Sequence, residues 1–375
     1  MEGSPLTSSS GGGGDDGKSK PRTRARRYCC LPAGGGSREP TFPLKIRLFY
    51  FLLNAAFRAV ARRDGTLAVN RKLFSFLDLS APPSPTPDAD GVSTSDHVVD
   101  PARNLFVRHF LPSAPPPPAA RLPVIVYFHG GGFVSGSAVD RPMDGFCRLL
   151  AGRTPAHVVS VEYRLAPEHR FPAPYDDGED VLRWLDGGGG PVPADCLSAV
   201  FLAGDSAGGN IAHHVARRAA RPGGTLGRLR VVGVVAIQPF LGGEEETESE
   251  RRVPFVSWKY IRMAWRAFLP EGASLDHEAA SVFGPGGSML STGGPEDWAG
   301  FPETMVVIGE WDPFQDRQRW YCDGLRRVGV RVHQVEYAHA VHAFFMFDKS
   351  QREQLVKEVG EFVRRRCADL EEIIQ

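Results

Sequence analysis

One stretch, Val200 to Asn210, constrains the possible fold more than any other part of the chain. Four apolar residues, Val200 to Ala203, run directly into a Gly-x-Ser-x-Gly pentapeptide, Gly204 to Gly208, and Ile211 to Ala219 then show a helical pattern. This order predicts a buried strand, a tight turn with Ser206 at its tip and a helix, which is the layout of a nucleophile elbow. Glycine is needed on both sides of the serine because such a turn leaves no room for a Cβ there.

A glycine-rich turn with a helix-capping serine has the same local sequence, in a chain that contains 42 glycines. The elbow is therefore a hypothesis that needs support from the remaining residues. If it is correct, the helix after Ser206 points its first N–H groups and the positive end of its dipole at the serine. An oxyanion that develops beside the serine would be stabilised there.

Apolar β runs recur along the chain, and helical patterns separate most of them. The predicted strands are His97–Asp100, Leu105–Phe110, Val124–Phe128, His157–Val161, Ala199–Ala203, Val231–Ile237, Thr304–Ile308 and Val330–Tyr337. The predicted helices are Met143–Leu150, Tyr175–Leu185, Ile211–Ala220, Arg317–Val328 and Gln354–Arg366. The alternation predicts an α/β fold with a mostly parallel eight-stranded sheet and helices on both faces, and the short turn after the first strand predicts an antiparallel start.

The N-terminal part of the chain departs from this pattern. Residues 1–40 are rich in Gly, Ser, Pro and Arg, which predicts a disordered leader. Leu44–Arg63 and Asn70–Leu79 have apolar residues at helical spacing and predict two amphipathic helices. We interpret residues 41–92 as a helical lid with its linker, and residues 93–375 as the catalytic domain. Helices that merely pack on the core, or that lie on a membrane surface, are the alternatives.

Two segments interrupt the alternation before the seventh strand. Glu244 to Val253 is a run of charges, which is most simply a solvated loop. Trp258 to Phe268 then reads as a helix at the place where a cap insertion would fall, and Gly284 to Trp298 as a Gly/Pro-rich loop.

Composition excludes several classes of protein. Lys+Arg and Asp+Glu both count 44, so nothing favours a nucleic-acid partner. The six cysteines show no Cys-x-x-Cys spacing, which fits a reducing compartment and argues against a disulfide framework or a zinc site. No secretory signal is visible, and Leu44–Arg63 is too short and too charged to span a membrane. We expect a cytoplasmic or nuclear protein without stable membrane insertion.

Three consecutive glycines follow the strand Val124–Phe128. The N–H groups of Gly130, Gly131 and Gly132 can approach a bound carbonyl closely and point at an oxygen that becomes negative, and Ala207 N–H would add another donor. A flexible glycine turn is the plain alternative. The three glycines lie one strand end away from the predicted elbow, and this position favours the oxyanion-hole interpretation.

A serine nucleophile also needs a base, and the base needs a carboxylate that fixes its tautomer. In this fold class the acid comes before the histidine along the chain. After the seventh predicted strand come Glu310, Asp312 and Asp316, of which Asp312 lies best at the strand's C-terminal end. After the last strand come His339 and His342, and position alone does not choose between them.

Five short motifs occur in the order found in a known family. They are His129–Phe133, Tyr163–Glu168, Gly204–Asn210, Asp312–Asp316 and Val341–Phe345. On these motifs the chain resembles the hormone-sensitive-lipase group of α/β-hydrolases over about residues 44–366, and it is most similar to the plant carboxylesterases of that group.

The resemblance implies an α/β-hydrolase fold with an N-terminal lid and a triad of Ser206, Asp312 and His342. It also implies a serine carboxylesterase that needs no metal or organic cofactor. The aromatic lid residues favour a small ester with an apolar acyl or alcohol group, although they could equally belong to the core: Phe49, Tyr50, Phe57 and Phe74. The usual motifs have leucine at Phe314 and often glycine at Ala343, and neither change removes a reacting group.

Plant gibberellin receptors share the scaffold that this chain resembles. They provide the rival interpretation, which is a hormone-binding protein without turnover. In those receptors an aliphatic residue replaces the triad histidine. The matching position here is His342. The retained base therefore favours an enzyme, and a non-catalytic gibberellin-receptor-like protein is the alternative.

Overall fold

The computed structural model describes residues 42–60, 80–113, 121–221, 226–253, 256–284 and 295–374. All of the elements below belong to one unit that begins at Pro43. The predicted leader, residues 1–40, and the second predicted lid helix, Asn70–Leu79, lie outside the described residues.

The described residues form a single eight-stranded sheet, as the sequence predicts. Its strands are β1 (Val92–Asp100), β2 (Leu105–Pro112), β3 (Val124–Phe128), β4 (His157–Glu162), β5 (Val200–Asp205), β6 (Val231–Ile237), β7 (Glu303–Trp311) and β8 (Val332–Val341). The spatial order is β1-β2-β4-β3-β5-β6-β7-β8. The β1–β2 and β2–β4 pairs are antiparallel and all the others are parallel, which confirms the mostly parallel sheet with an antiparallel start.

Helices cover both faces of the sheet. They are α1 (Leu44–Val60), α2 (Arg141–Arg153), α3 (Ala173–Asp186), α4 (Ala207–Ala219), α5 (Glu248–Arg252), α6 (Trp258–Phe268), α7 (Gln315–Arg327) and α8 (Lys349–Ile374). Side chains of β5 show the two faces, since neighbours on a strand point in opposite directions. Phe201 lies 6.1 Å from the Phe362 ring of α8, whereas Leu202 belongs to the buried cluster that includes Ile211 of α4.

The central strands explain the unbroken apolar runs in the sequence. All five residues of β3 and all six of β5 are buried. A strand that is covered on both faces needs apolar side chains at every position, not at alternate ones. Both strands end at the edge where the predicted site residues follow.

The charge run Glu244 to Val253 is not a solvated loop, and that prediction is wrong. It contains helix α5, whose start is a capping box of Thr247 and Glu250. The guanidinium of Arg317 on α7 binds both carboxylate oxygens of Glu250, at 2.8 and 3.0 Å, and both side chains are buried. One charge of the run, Glu250, therefore serves a buried ion pair with a helix that lies far away in the sequence, while Glu245, Glu248, Arg251 and Arg252 are exposed.

Glu250→Ala is expected to lower the free energy of unfolding by about 3–5 kcal/mol, because it leaves the buried guanidinium of Arg317 without its counter-charge. Glu336→Ala is the matched control. It breaks a partly exposed pair with Arg319 at 3.0 Å and is expected to cost less than about 1 kcal/mol. Urea denaturation measures both values, and equal losses would contradict this account.

Helix α1 confirms the first predicted amphipathic helix and extends to Val60. Its Tyr50 is buried, while Leu44, Leu48 and Phe51 are exposed. Within the described residues, every helix is too short or too polar to cross a lipid bilayer.

Candidate active site

Ser206 stands at the turn between β5 and α4 in a rare backbone conformation, with φ +53° and ψ −118°. A residue with a side chain adopts such angles only where the surrounding structure enforces them. A Cβ on Gly204 would overlap the backbone of Gly208, and a Cβ on Gly208 would overlap the carbonyl oxygen of Phe128. The two glycines therefore let β5, α4 and β3 meet closely, and the predicted strand, turn and helix are present.

A continuous hydrogen-bonded path starts at the serine. Ser206 Oγ lies 2.9 Å from His342 Nε2, and His342 Nδ1 lies 2.9 Å from Asp312 Oδ2. The three residues follow β5, β8 and β7, so the sheet brings together side chains that are 30 to 136 positions apart. The Asp312 side chain is 0% exposed and that of His342 is 15% exposed.

The tautomer of His342 follows from its partners. An ionised carboxylate can only accept, so Nδ1 carries the proton that is donated to Asp312. Nε2 is then an unprotonated acceptor that faces the hydroxyl of Ser206. This is the state in which an imidazole can remove a proton from a serine.

Neighbouring groups fix the carboxylate of Asp312. The backbone N–H of Phe314 donates to Oδ1 at 2.9 Å, and Gln318 Nε2 donates to Oδ2 at 3.1 Å. The acceptor of His342 is therefore a rigid group rather than a flexible surface side chain. Gln318 has no role in the sequence-based prediction; its position on α7, six residues after Asp312, is the signal that would have found it.

The rival candidates lie elsewhere. The side chain of His339 is 84% exposed and contacts Glu310 at 3.5 Å. Asp316 accepts a hydrogen bond from the backbone N–H of Ser249 at 2.8 Å. The structure thus places Asp312 and His342 with Ser206, as the family resemblance implied, and leaves the other three outside the hydrogen-bonded path.

The glycine loop after β3 lies beside the elbow. Gly130 N–H donates to Oδ1 of Asp205 at 3.0 Å, so this amide is already engaged. Gly131 and Gly132 have positive φ values of +117° and +61°. Their amides, and that of Ala207, have no acceptor among the described residues. The proposal of oxyanion donors therefore rests on these three amides rather than on Gly130.

Asp205 ties the glycine loop to the elbow, a role the sequence reasoning missed. Besides Gly130 N–H it accepts the Tyr127 hydroxyl at 2.8 Å on the same oxygen. Burial raises the pKa of Asp205 to about 6, although the hydrogen bond from Tyr127 and the charge of His342 act in the opposite direction. The position of Asp205 next to the nucleophile candidate was the available signal.

Neighbouring charges shift the pKa of His342, the candidate base. Burial lowers the pKa of His342, but the charge and hydrogen bond of Asp312 and the charge of Asp205 outweigh it, so the pKa is raised from 6.5. The protonated imidazole is therefore stabilised by the carboxylates around it. An intermediate state in which His342 carries the serine's proton gains from the same charges.

An elbow serine, a histidine after the last strand, an acid after the strand beside it and a glycine loop after β3 define an α/β-hydrolase. The profile of the α/β-hydrolase fold matches residues 125–346, and the chain belongs to that family. The resemblance that the five motifs indicated is confirmed.

Particular relatives fall into two kinds. The gibberellin receptor GID1C of Arabidopsis thaliana is 36% identical over 341 residues, which cover 87% of this chain and 95% of the receptor. Carboxylesterase 20 of the same plant is 35% identical over 315 residues, which cover 80% of this chain and 93% of the relative. The ester-hydrolase EH1AB1 from the metagenome of Lake Arreo is similar in structure, with a TM-score of 0.64, 28% identity and coverage of 86% and 98%.

Proposed function

We propose that this protein is a serine carboxylesterase that hydrolyses small, apolar carboxylic esters without a metal or cofactor. The observation that carries the proposal is the path from Ser206 through His342 to Asp312, with both hydrogen bonds at 2.9 Å. A carboxylesterase relative and an ester-hydrolase of similar structure support it.

The proposed reaction uses the hydrogen-bonded path from Ser206 to Asp312. Ser206 Oγ attacks the ester carbonyl carbon while its proton moves to His342 Nε2, and the carbonyl oxygen becomes an oxyanion beside the amides of Gly131, Gly132 and Ala207. The intermediate collapses, His342 returns the proton to the leaving alcohol, and the acyl group stays on the serine. Water then attacks the acyl-enzyme with the same histidine as base, which releases the acid and restores the hydroxyl.

The aromatic surroundings of the base support an apolar substrate. The ring of Phe314 packs edge-on against the imidazole of His342 at 5.1 Å, and Phe240 packs against Phe314 at 4.9 Å. Trp265 stacks on Phe240 at 4.5 Å. These buried rings make the environment of the imidazole apolar, and an acyl or alcohol group that is itself apolar fits such an environment.

A second function is a hormone-binding protein without turnover, because a gibberellin receptor is among the similar proteins. The two functions differ in their requirement for a base. A receptor has no need of a histidine that is hydrogen-bonded to both the serine and a buried carboxylate, as His342 is here. The esterase is therefore the better supported proposal.

Three measurements on the purified full chain test this choice. We expect release of p-nitrophenol from p-nitrophenyl acetate and butyrate, and covalent labelling of Ser206 by an alkyl fluorophosphonate, located by peptide mass spectrometry. Equilibrium dialysis with labelled gibberellin tests the rival. Tight gibberellin binding without ester turnover would replace the esterase by the receptor, and labelling at another residue would contradict the assigned nucleophile.

Ester hydrolysis is expected to rise with pH, since only the neutral imidazole of His342 accepts the serine's proton. The pKa of His342 is raised from 6.5, because the charges of Asp312 and Asp205 outweigh burial, so activity should be lost as the pH falls through a value above 6.5. Asp205→Asn removes one of these charges and keeps an acceptor oxygen for Tyr127. We expect it to move the acid limb of the kcat/KM profile to lower pH. An unmoved limb would contradict the assignment of this limb to a His342 whose pKa the charge of Asp205 helps to raise.

A further inference from the structure

The backbone that carries His342 leaves the regular sheet just before this residue. Strand β8 ends at Val341, and the β7–β8 register is irregular between Gly309 and Trp311. Ala343 then has a φ of +57°, in the left-handed region that non-glycine residues rarely adopt. Ladder hydrogen bonds therefore do not set the position of the imidazole by themselves, and other contacts must hold this backbone.

Gln238 supplies two of these contacts. Its Nε2 donates to the carbonyl oxygen of Val341 at 3.0 Å, and its Oε1 accepts from Ala343 N–H at 2.8 Å. One side-chain amide thus binds both peptide groups that flank the Cα of His342. The amide can do this because it carries a donor and an acceptor on one planar group, and the two bonds fix its orientation.

The backbone of Gln238 is itself unusual. The residue follows β6 with a φ of +45° and is 1% exposed, and its N–H donates to Val307 of β7 at 2.9 Å. A non-glycine residue in this conformation is strained, and such strain is retained where the surroundings or a function require it. The strained backbone aims the side chain across β7 at the loop after β8.

Tyr50 supplies the third contact, from helix α1. Its hydroxyl donates to the carbonyl oxygen of His342 at 2.8 Å, although the two residues are 292 positions apart. The peptide group between His342 and Ala343 is therefore bound at both ends, by Tyr50 at its C=O and by Gln238 at its N–H. The Tyr50 side chain is buried, and Asp312 acts on it electrostatically, which places it near the candidate triad.

Two further contacts attach α1 to the same loop. Lys45 Nζ donates to the carbonyl oxygen of Phe347 at 2.6 Å, and the ring of Phe49 packs against that of Phe347 at 4.7 Å. The turn of α1 that carries Tyr50 is thus seated on the segment directly after His342. A movement of this turn away from the loop would withdraw the Tyr50 hydroxyl from the carbonyl oxygen of His342.

We propose that Gln238 and Tyr50 are positioning residues that together hold His342 in reach of Ser206, so that seating of helix α1 completes the catalytic site. This inference rests on the proposed esterase function. Neither residue reacts, and each acts through the backbone of the base. A displacement of about 1 Å at a reacting group can lower a rate by about a hundredfold. Loss of the hydrogen bonds from either residue should therefore lower kcat, while KM should change little.

The test compares Tyr50→Phe, Gln238→Leu and Gln238→Glu with the wild type, using p-nitrophenyl butyrate. Tyr321→Phe is the matched control, because it also removes a buried hydroxyl, whose partner is His213 at 2.8 Å. Gln238→Glu keeps an acceptor for Ala343 N–H, but it replaces the donor to Val341 by a carboxylate oxygen that faces the carbonyl oxygen of Val341 and repels it. Circular dichroism and thermal unfolding show whether each variant is folded.

We expect kcat to fall about tenfold in Tyr50→Phe and in Gln238→Leu, at least as much in Gln238→Glu, and not in Tyr321→Phe. KM should stay within about twofold of the wild-type value in all four variants. The low-field proton NMR signal of His342 Nδ1–H should broaden or shift in the Tyr50 and Gln238 variants, because the imidazole moves against Asp312.

Several results would overturn the proposal. One is an unchanged kcat in folded Tyr50→Phe and Gln238→Leu. Another is a rise in KM alone, which would make Tyr50 a substrate contact. A third is an equal loss in Tyr321→Phe. If the wild type hydrolyses no ester, the esterase proposal fails on its own, and the NMR signal then decides: an unchanged signal in both variants rejects the positioning role, and a changed one retains it.

Discussion

Ester turnover by Ser206→Ala and by His342→Ala is expected to fall by about 10⁶-fold in kcat, to the residual rate that the oxyanion donors and binding alone provide. In the proposed mechanism Ser206 Oγ forms the new bond to the acyl carbon, and its hydroxyl lies 2.9 Å from His342 Nε2. The two residues act as a unit, because the hydroxyl is a poor nucleophile until its proton moves to the imidazole. The double variant should therefore be no slower than either single one.

His339→Ala is the matched control for the histidine. It removes the same side-chain type three residues earlier, where the ring is exposed and contacts Glu310. Its kcat should stay within about twofold of the wild type, as expected of a surface change. Steady-state and burst kinetics on p-nitrophenyl acetate compare the four variants with the wild type. Full turnover in either Ser206→Ala or His342→Ala would exclude the proposed mechanism.

The central strands could be predicted from the sequence because they are buried on both faces. Runs such as Val124–Phe128 and Val231–Ile237 contain apolar residues at every position, and the structure assigns the same bounds. Helix ends were less accurate: α8 extends over Lys349–Ile374, well beyond its predicted Gln354–Arg366. The ends of that helix carry charged residues, so periodicity of apolar residues does not mark them.

Interactions across the sheet were beyond the reach of local patterns. Glu250 reads as one charge among many until Arg317 is seen beside it, and Gln238 reads as an ordinary residue after a strand. The engaged amide of Gly130 was likewise unpredictable, because its acceptor, Asp205, comes from the neighbouring strand. The residue types at the site could be predicted from chemistry and from family motifs. The side chains that hold them in place depend on the register of the strands and on which elements pack against each other.

Asp312→Asn is expected to lower kcat by about 10⁴-fold while the fold stays intact. The asparagine amide can donate to His342 Nδ1, which would place the imidazole proton on Nε2, facing Ser206, and leave no acceptor for the serine's proton. The charge that stabilises the imidazolium is lost as well. The charge and hydrogen bond of Asp312 raise the pKa of His342 against burial. The acid limb of any residual activity should therefore lie at a lower pH than in the wild type.

Two matched controls separate this effect from a general loss of negative charge near the site. Asp316→Asn and Glu310→Gln each remove a carboxylate from the same stretch of chain, but their partners are Ser249 N–H and His339 rather than the base. Both variants should keep kcat within about threefold of the wild type, as surface or local changes do. A pH–rate profile for each variant completes the comparison. If Asp316→Asn lost as much activity as Asp312→Asn, the acid of the triad would have to be reassigned, because only direct contact with Nδ1 explains a tautomer-dependent loss.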